Sequence, residues 1–405
     1  MPIPPIAALE IGTTNVRTLI GEAREDGFLM VTGVGECRSA GVRKGEIVDF
    51  DNALACVRTS LQMAEEQSNV GIQQVYLVLT GSHIRSDINR GTVHVMNDEH
   101  EITALEMEQA SEAARKMNLP TDREVLHSIN QHYYVDSQGG VVNPLGMEGM
   151  QLSLDMLIVH GAGNLLRNTI RVARTVPIDV QDVAFSGLCA SLAVLTPEQK
   201  ASGVLVLDLG GGTTDYLVYA NQMMARAGSF GVGGDHATND IALGLKIPTL
   251  HAERLKIQHG DALLRPATRN HTVSLAAEGG FPGRTVRLTE LQTIINARMD
   301  ELFRLIRNEL DRQDLLRHLG GGVVLTGGGS LLTGVTELAE KVFNLPCTVG
   351  RPRAVSGLVA VTGGPEYAAL VGMLRYAMMT YQRSGGPLGP LRGLIKKVFN
   401  RGGAS

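Results

Sequence analysis

The chain has 405 residues, of which 43% are hydrophobic, and a formal net charge of −4 at pH 7. Since this length exceeds the size at which one hydrophobic core keeps growing, we expect several domains or subdomains. The balanced charge gives no case for nucleic-acid binding, and four dispersed cysteines without a C-x-x-C pair favour buried thiols over disulfides or a zinc site. The N-terminal residues lack the pattern of a signal peptide, and we expect no membrane-spanning segment.

Two segments share a pattern that predicts a β-hairpin. In residues 7–23, AALEIGTTNVRTLIGEA, an apolar run ends at Glu10, and Gly12 and two threonines precede a second apolar run. Residues 204–219, VLVLDLGGGTTDYLVY, repeat this order with two more glycines between Asp208 and Thr214. A P-loop would continue through a lysine into a helix, but here a β-branched and aromatic run follows. We therefore expect two hairpins with bare backbone at their tips, which indicates two halves built on one plan.

A segment between two predicted strands has secondary-structure signals of its own. Residues 75–80, VYLVLT, predict a strand, and the next strand-then-helix unit begins at residues 154–161, LDMLIVHG. Between them, residues 91–96 predict a strand, and residues 103–118 predict an amphipathic helix with a capping box formed by Thr103 and Glu106. We therefore predict a small inserted domain at residues 82–160.

A third glycine cluster lies in residues 321–343, GGVVLTGGGSLLTGVTELAEKVF. A β-rich run enters Gly327, and Ser330 stands where we expect the N-cap of a helix with apolar residues at helical spacing. Each cluster alone is equally compatible with a tight turn. Three together, two of which carry an acid at the end of a strand, favour a site where backbone approaches a nucleotide.

These residue types point to phosphate binding. Glycines let the main chain approach phosphate oxygens, and threonine hydroxyls add hydrogen bonds to them. The carboxylates of Glu10 and Asp208 would repel phosphate, so they imply an intervening Mg²⁺ held through water. Two hairpins facing each other would clamp a triphosphate between two lobes. The residues predicted to contact the nucleotide in these three segments are Gly12, Thr13, Thr14, Asn15, Gly210, Gly211, Gly212, Thr213, Thr214, Gly327, Gly328, Gly329 and Ser330.

The paired hairpins and the third cluster resemble those of the superfamily of actin, heat-shock-chaperone and sugar-kinase ATPases. The resemblance implies an α/β fold with two lobes around a cleft that holds ATP. Residues 251–260, HAERLKIQHG, resemble a chaperone helix in which an acid and a lysine bracket the adenosine, and Glu253 and Lys256 occupy those places. Without that context the pair is a surface ion pair. In relatives, the loop that corresponds to Gly233 and Gly234 lies near phosphate.

The C-terminal segment predicts a tethered amphipathic helix. Residues 384–390, SGGPLGP, are typical of a flexible linker, and residues 391–401, LRGLIKKVFNR, follow it. At 100° per residue the apolar positions fall within an arc of roughly 140°. A basic helix of this kind is typical of interfacial membrane binding, with a docking helix for a partner or the chain's own core as the alternative. The expected membrane contacts are Leu391, Leu394, Ile395, Lys396, Lys397, Val398 and Phe399.

The inserted domain, glycine motifs and basic tail together resemble the FtsA family of bacterial actin homologues over essentially the whole chain. The resemblance implies ATP-dependent filaments, an anionic membrane surface as partner for the tail, and a location on the cytoplasmic face of the membrane at the division site. It also implies that subdomain 2B recognises the C-terminal peptide of the tubulin-like protein FtsZ. Arg298 matches by position a basic residue implicated in FtsZ binding, and a solvated basic face with Arg304 and Arg307 is the alternative.

The same resemblance implies a division into subdomains. Subdomain 1A comprises residues 1–81, 161–196 and 365–383. The inserted subdomain 1C comprises residues 82–160, and the resemblance implies that it binds other division proteins. Subdomain 2A comprises residues 197–246 and 318–364, and subdomain 2B comprises residues 247–317.

The expected hydrolysis is slow. The helix that in relatives supplies a water-orienting Glu or Gln corresponds to residues 185–195, FSGLCASLAVL, which offer Ser186 but no carboxylate or amide. ATP would then act mainly as a conformational ligand, and Asp208 is the candidate organiser of water or metal. Two alternatives stay open: a pilus-assembly actin-like ATPase, which normally lacks the terminal helix, and a metabolite kinase of the same fold, which has no use for it.

Overall fold

The computed structural model describes residues 4–24 and 28–383. The predicted linker at 384–390 and the predicted membrane helix at 391–401 lie outside these residues. Within the described part of the chain, each helix is too short or too polar to cross a membrane. Three of the four cysteine thiols are buried, whereas Cys37 is half-buried, so the expectation of buried thiols is wrong for this residue.

The N-terminal part forms an antiparallel meander covered by a long helix. The predicted hairpin at residues 7–23 is confirmed, with Glu10 opposite Arg17. Asp49 caps the long helix, since its Oδ1 accepts a hydrogen bond of 3.1 Å from Asn52 N. The elements are β1 (Ile6–Ile11), β2 (Asn15–Ala23), β3 (Leu29–Arg38), β4 (Val42–Arg43), β5 (Glu46–Ile47), α1 (Phe50–Ser68) and β6 (Gln74–Leu79).

The inserted segment forms its own sheet with one covering helix. The predicted capping box is present, and Thr103 N donates to Glu106 Oε2 at 2.9 Å. The helix ends at Arg115, three residues before the predicted end at 118. The strand predicted at residues 91–96 begins earlier, at Arg85, and ends earlier, at His94. The elements are β7 (Arg85–His94), α2 (Ala104–Arg115), β8 (Arg123–Val135), β9 (Gln138–Val141) and β10 (Gln151–Ala162).

The middle of the chain crosses from one lobe to the other. The second predicted hairpin is confirmed, with Asp208 directly opposite Asp215. Strands β12 (Val204–Leu209) and β13 (Thr214–Ala220) form this hairpin, and β14 (Met223–Phe230) follows it. The elements before it are α3 (Gly163–Thr175), β11 (Asp179–Phe185), α4 (Ser186–Val194) and α5 (Pro197–Ser202). A helical layer follows with α6 (Gly234–Leu245), α7 (Thr249–His259), β15 (Thr272–Leu275), β16 (Arg284–Arg287) and α8 (Leu288–Arg312).

The last part of the chain corrects one prediction. Ser330 does not cap an α-helix: residues Gly328–Leu331 form a 3₁₀ turn, and the Ser330 hydroxyl donates to Gly327 O at 2.7 Å. The α-helix begins only after Gly334, whose φ of 75° suits glycine. The elements are β17 (Val323–Thr326), α9 (Val335–Phe343), β18 (Cys347–Val349), β19 (Val355–Gly357), α10 (Val359–Thr362) and α11 (Ala368–Arg383).

The two large sheets share one arrangement around their hairpins. In the first lobe the strand order is β11-β6-β1-β2-β3-β19, and in the second lobe it is β14-β13-β12-β17-β18. In each sheet the first strand of the hairpin is antiparallel to its partner and parallel to a second neighbour, β6 or β17. The inserted sheet has the order β7-β10-β8-β9.

The helices α4 and α11 pack at the centre, between the two sheets. Helix α4 is apolar on all sides and almost fully buried, as expected for a helix inside a core. The two helices are in backbone contact, because a Cβ placed on Gly372 would lie 1.7 Å from Cys189 O. This packing fixes the N-terminus of α4, and with it Ser186, beside the end of strand β12.

Candidate functional site

The tips of the two hairpins meet between the lobes. Each tip is closed by the same bond, from Gly12 N to Asn15 O at 3.1 Å and from Gly210 N to Thr213 O at 2.9 Å. A Cβ placed on Gly211 would lie 2.0 Å from Thr14 Oγ1. A Cβ on Gly212 would lie 2.4 Å from Thr13 Oγ1. Only glycine allows these tips to approach so closely, and the residues predicted at both tips are brought together.

The third glycine cluster packs against the end of strand β12. A Cβ on Gly327, whose φ is 76°, would lie 2.2 Å from Asp208 Oδ1, and a Cβ on Gly329 would lie 2.9 Å from Leu209 O. This close approach follows from the parallel pairing of β12 with β17, which brings Asp208 level with Thr326. The cluster therefore borders the same site as the two hairpin tips.

Helix α6 begins on the tip of the second hairpin. Gly234 N donates to Gly210 O at 2.9 Å, and Asp235 N donates to Gly211 O at 2.8 Å. A Cβ on Gly233 would lie 2.5 Å from both of these carbonyl oxygens. The loop that carries Gly233 and Gly234 therefore lies against the tip of the second hairpin, and its place near phosphate stays a prediction.

The acid and lysine of α7 form an ion pair that also holds α6. Lys256 Nζ lies 2.7 Å from Glu253 Oε2, and their side chains are only 15% and 21% exposed. The ammonium also donates to Gly234 O at 3.1 Å and to Thr238 Oγ1 at 2.7 Å. The Thr238 hydroxyl in turn donates to the Glu253 carboxylate. The pair is therefore tied to the glycine loop rather than standing free on the surface.

Three carboxyl groups lie at the base of the hairpins: Asp215 is buried, whereas Glu10 and Asp208 are half-buried. Burial, together with the charges of Asp208 and Asp215, raises the pKa of Glu10 to about 7, against the opposing effect of Arg17. Burial and the charge of Asp208 raise the pKa of Asp215 to about 7. Burial also raises the pKa of Asp208, although the Ser186 hydroxyl donates to Asp208 Oδ2 at 2.8 Å. Glu10 and Asp215 therefore carry less than their full negative charge at neutral pH.

Asp215 Oδ1 is buried and has no hydrogen-bond partner among the described residues. Within those residues, no group of three or more His, Cys, Asp or Glu side chains is placed to hold a metal ion. A Mg²⁺ that accompanies a nucleotide takes one or two carboxylates and fills its remaining positions with phosphate and water oxygens. The two predicted carboxylates, of Glu10 and Asp208, fit that requirement, and the orphaned oxygen belongs to Asp215, which is paired with Asp208 in the hairpin.

The structure adds residues that the sequence analysis missed. The Thr80 hydroxyl, at the end of β6, donates to Asp215 Oδ2 at 2.6 Å and lies 3.1 Å from Thr213 Oγ1. The position of Thr80 at the end of a predicted strand was the available signal. The second missed residue is Lys44, in the turn between β4 and β5. It lies at the site because a Cβ on Gly212 would be 2.8 Å from Lys44 Cα. The sequence around Lys44 carries no pattern that marks it.

Arg298 lies on α8, beside α6. Its Nε lies 2.6 Å from Asp240 Oδ2 of α6, and a second nitrogen pairs with Glu301. Its side chain is 25% exposed, whereas Arg304 is 61% exposed and pairs with Asp300 at 2.5 Å. Arg298 therefore links two helices and still reaches the surface.

Comparisons with known proteins identify the family. The family described as "Cell division protein FtsA" matches residues 205–372, and the "SHS2 domain inserted in FTSA" matches residues 81–160. Cell division protein FtsA of Pseudomonas aeruginosa is 34% identical over 373 residues, which cover 92% of this chain and 89% of the relative. The chain belongs to the FtsA family. The FtsA of Escherichia coli (strain K12) is 32% identical over 378 residues, which cover 92% of this chain and 90% of the relative.

Solved structures show that this FtsA family member has the fold of the actin-like ATPases. The PilM-PilN type IV pilus biogenesis complex matches with a TM-score of 0.63 and 17% identity, over 91% of this chain and 98% of that chain. MreB5 of Spiroplasma citri bound to ADP matches with a TM-score of 0.53 and 14% identity, over 94% and 97% of the two chains. The predicted fold class, including an inserted subdomain, is confirmed, whereas the detailed subdomain boundaries stay a prediction.

Proposed function

We propose that this FtsA family member binds Mg-ATP between its lobes, polymerises on the cytoplasmic face of the cell membrane and tethers FtsZ filaments of the division ring. Membership of a family of cell division proteins supports the role in division. The observation that carries the nucleotide part is the contact between the tips of the two hairpins, Gly211 against Thr14.

The predicted residues have distinct roles in nucleotide binding. The backbone N–H groups of the glycine clusters and the threonine hydroxyls would hold the phosphates, and Glu253 and Lys256 would lie along the adenosine. Glu10 and Asp208 would hold Mg²⁺ through water. When bound, the ion supplies positive charge that neutralises the phosphates. That charge would also favour the ionised forms of the buried carboxyl groups around it.

Hydrolysis would be slow, so that ATP acts mainly as a ligand that favours one conformation. Helix α4 offers Ser186 beside Asp208, with no carboxylate or amide side chain in the helix to orient water. Asp208 stays the candidate organiser of water or metal, held in one orientation by the Ser186 hydroxyl.

Membrane binding would depend on polymerisation. The four cations of residues 391–401 contribute roughly 1 kcal/mol each near an anionic surface, and five apolar side chains add several kcal/mol at most. One short helix therefore gives weak, reversible binding. Linking many such helices in one filament makes later contacts intramolecular and raises the overall affinity steeply. A weak anchor thus suits a head that polymerises with other copies of itself.

Partner binding would be divided between subdomains. The C-terminal peptide of FtsZ would bind subdomain 2B, at residues 247–317, where Arg298 of α8 is the candidate contact. Other division proteins would bind the inserted subdomain 1C. The long helix α8 offers a rigid surface for a peptide, since its buried face is anchored by Met299, Phe303 and Ile306.

Reconstitution of FtsZ on a supported anionic bilayer tests this proposal. With Mg-ATP, the full chain should recruit fluorescent FtsZ filaments to the bilayer. Two controls should fail to do so: the chain truncated after Arg383, and FtsZ without its C-terminal peptide. Recruitment that persists in either control, or no recruitment by the full chain, would contradict the tethering role.

A further inference from the structure

The small hairpin β4–β5 has a rigid tip that ends in the cleft. Val42 pairs with Ile47 and Arg43 pairs with Glu46, so that Lys44 and Gly45 alone form the turn. Both turn residues have positive φ, 52° for Lys44 and 75° for Gly45. A two-residue turn with positive φ at both positions matches the twist of its strands. The position of the Lys44 backbone is therefore well defined.

The hairpin β4–β5 is anchored on the first lobe. Gly45 N donates to Thr13 Oγ1 at 2.9 Å, which fixes the turn to the first glycine hairpin. The Ser82 hydroxyl donates to Glu46 Oε1 at 3.3 Å. A Cβ placed on Gly45 would lie 3.1 Å from Gly81 Cα. The turn thus lies against both the Thr13 hydroxyl and the first residues of the inserted domain.

Its other side faces the second lobe. A Cβ on Gly212 would lie 2.8 Å from Lys44 Cα, and a Cβ on Gly231 would lie 3.7 Å from Lys44 Cδ. The lysine side chain therefore runs from the second hairpin tip toward the loop that precedes α6. His236, in the first turn of α6, has a pKa lowered by burial and then by the positive charge of Lys44. The ammonium thus acts on the N-terminal end of α6.

Lys44 is half-buried, and no carboxylate forms a salt bridge with it in the described residues. This is notable because the neighbouring cleft contains the carboxyl groups of Glu10, Asp208, Asp215 and Asp235. A partly buried cation that has no acidic partner calls for an anion. The surrounding groups, Thr13 Oγ1 and the glycine backbone of two loops, are those that bind phosphate oxygens.

We propose that Lys44 binds the terminal phosphate of ATP and thereby distinguishes ATP from ADP. This inference rests on the proposed nucleotide function. Lys256 lies beside Gly234 on the α7 side, where the adenosine is proposed, whereas Lys44 lies beside Gly212 and Gly231 at the hairpin tips. A triphosphate that runs between them reaches Lys44 with its last phosphate. A diphosphate ends one phosphate earlier and leaves the ammonium without its ligand.

The same contacts connect the terminal phosphate to the inserted domain. The turn that carries Lys44 touches Gly81 and Ser82, and a Cβ on Gly231 would lie 3.0 Å from Ser82 Cβ. Three segments, one from each lobe and one from the entrance of the inserted domain, therefore meet beside the lysine. Binding of the last phosphate by Lys44 would hold these segments together in the ATP state.

Equilibrium titration of the full chain with a non-hydrolysable ATP analogue and with ADP, both with Mg²⁺, tests the inference. Lys44→Asn removes the charge and tolerates positive φ, Lys44→Arg keeps the charge, and Arg43→Ala is the control at the exposed neighbouring position. We expect Lys44→Asn to weaken the ATP analogue by about tenfold or more and ADP by less than about twofold, since a charge-assisted contact is lost only for ATP. Lys44→Arg should keep most of the preference for the ATP analogue over ADP. Arg43→Ala should bind both nucleotides with the affinities of the unmodified chain.

An equal loss for both nucleotides, or no loss for the ATP analogue, would overturn the assignment of Lys44. Failure of the unmodified chain to bind either nucleotide would instead overturn the proposed nucleotide function, and the Lys44 inference with it. Hydrogen exchange gives a second readout: amides at residues 81–84 should be slower with the ATP analogue than with ADP. This difference should disappear in Lys44→Asn, and its persistence would contradict the role of Lys44.

Discussion

Gly211 and Thr14 lie against each other, although they belong to hairpins of different lobes, and a Cβ on Gly211 would come within 2.0 Å of Thr14 Oγ1. The contact leaves no space for a side chain on Gly211 while the Thr14 hydroxyl keeps its position. The two lobes therefore contact each other at the tips that we propose bind phosphate.

Replacing Gly211 by alanine should separate these tips. Because the added carbon would overlap with the Thr14 hydroxyl, the Thr14 side chain or the tips themselves must shift, and we expect nucleotide affinity to fall by about tenfold or more. Gly71→Ala is the matched control, since a Cβ there meets nothing within 4 Å. Titration with ATP and ADP measures the effect. Unchanged affinity in Gly211→Ala would show that the tips do not bind phosphate.

The raised pKa values of Asp215 and Glu10 predict a pH dependence of stability in the absence of nucleotide. The pKa of Asp215 is about 7 in the folded state, above the usual 3.8, so the folded state binds more protons between these values. Its stabilising contribution is therefore fully present at low pH and is lost as pH rises toward 7, by up to about 4 kcal/mol. Glu10, whose pKa is also about 7, adds to the same trend.

Asp215→Asn should remove the Asp215 part of this trend. Between pH 5 and pH 7.5 the variant should lose less stability than the unmodified chain does. The reason is that burying a neutral amide costs the same free energy at both pH values. Thermal unfolding of nucleotide-free protein at the two pH values measures this difference. Identical pH dependence in both proteins would mean that Asp215 is ionised at neutral pH without cost.

The Glu253–Lys256 pair should affect both nucleotides alike. Lys256→Ala breaks the bonds to Gly234 O and Thr238 Oγ1, which hold α7 beside the glycine loop. We expect the affinities for ATP and ADP to fall by a similar factor, of about three to thirty, since both ligands share the adenosine. The same titration as for Lys44 provides the comparison. A loss confined to ATP would place Lys256 at the terminal phosphate and contradict the proposed orientation of the nucleotide.

Arg298 has a structural contact that must be separated from any role in partner binding. Arg298→Ala removes the ion pair with Asp240, and so does Asp240→Asn, which leaves the arginine in place. Each change should lower the free energy of unfolding by roughly 1 kcal/mol. Binding of the FtsZ C-terminal peptide, measured by fluorescence anisotropy, should fall only in Arg298→Ala. Equal losses in both variants would assign Arg298 to helix packing alone.

The hairpins were predictable from the sequence because their signals are local. The period of the apolar residues, the acid at the end of the first strand and the glycines of the tip all lie within about twenty residues. The capping box of α2 is local in the same sense, since Thr103 and Glu106 are three positions apart.

Features that depend on distant contacts were not predictable. The start of α9 depends on Gly334, where a Cβ would lie 2.2 Å from Asp261 Oδ1, whereas the isolated Ser330 only resembles an N-cap. Thr80 reaches Asp215 across 135 positions of sequence, and the Lys44 side chain lies beside Gly231 of the other lobe. A pattern read along one segment carries no information about such pairs. The sequence therefore indicated the glycine loops as candidate site residues, but not Thr80 and Lys44, which contact them from distant positions.

Co-sedimentation with anionic liposomes tests whether membrane binding depends on both the C-terminal tail and the nucleotide. The full chain and the chain truncated after Arg383 are compared, each with and without Mg-ATP. We expect that only the full chain with Mg-ATP sediments efficiently and forms filaments on the vesicles. Binding that is absent under all conditions, or that needs neither the tail nor ATP, would contradict a membrane-bound filament that depends on nucleotide.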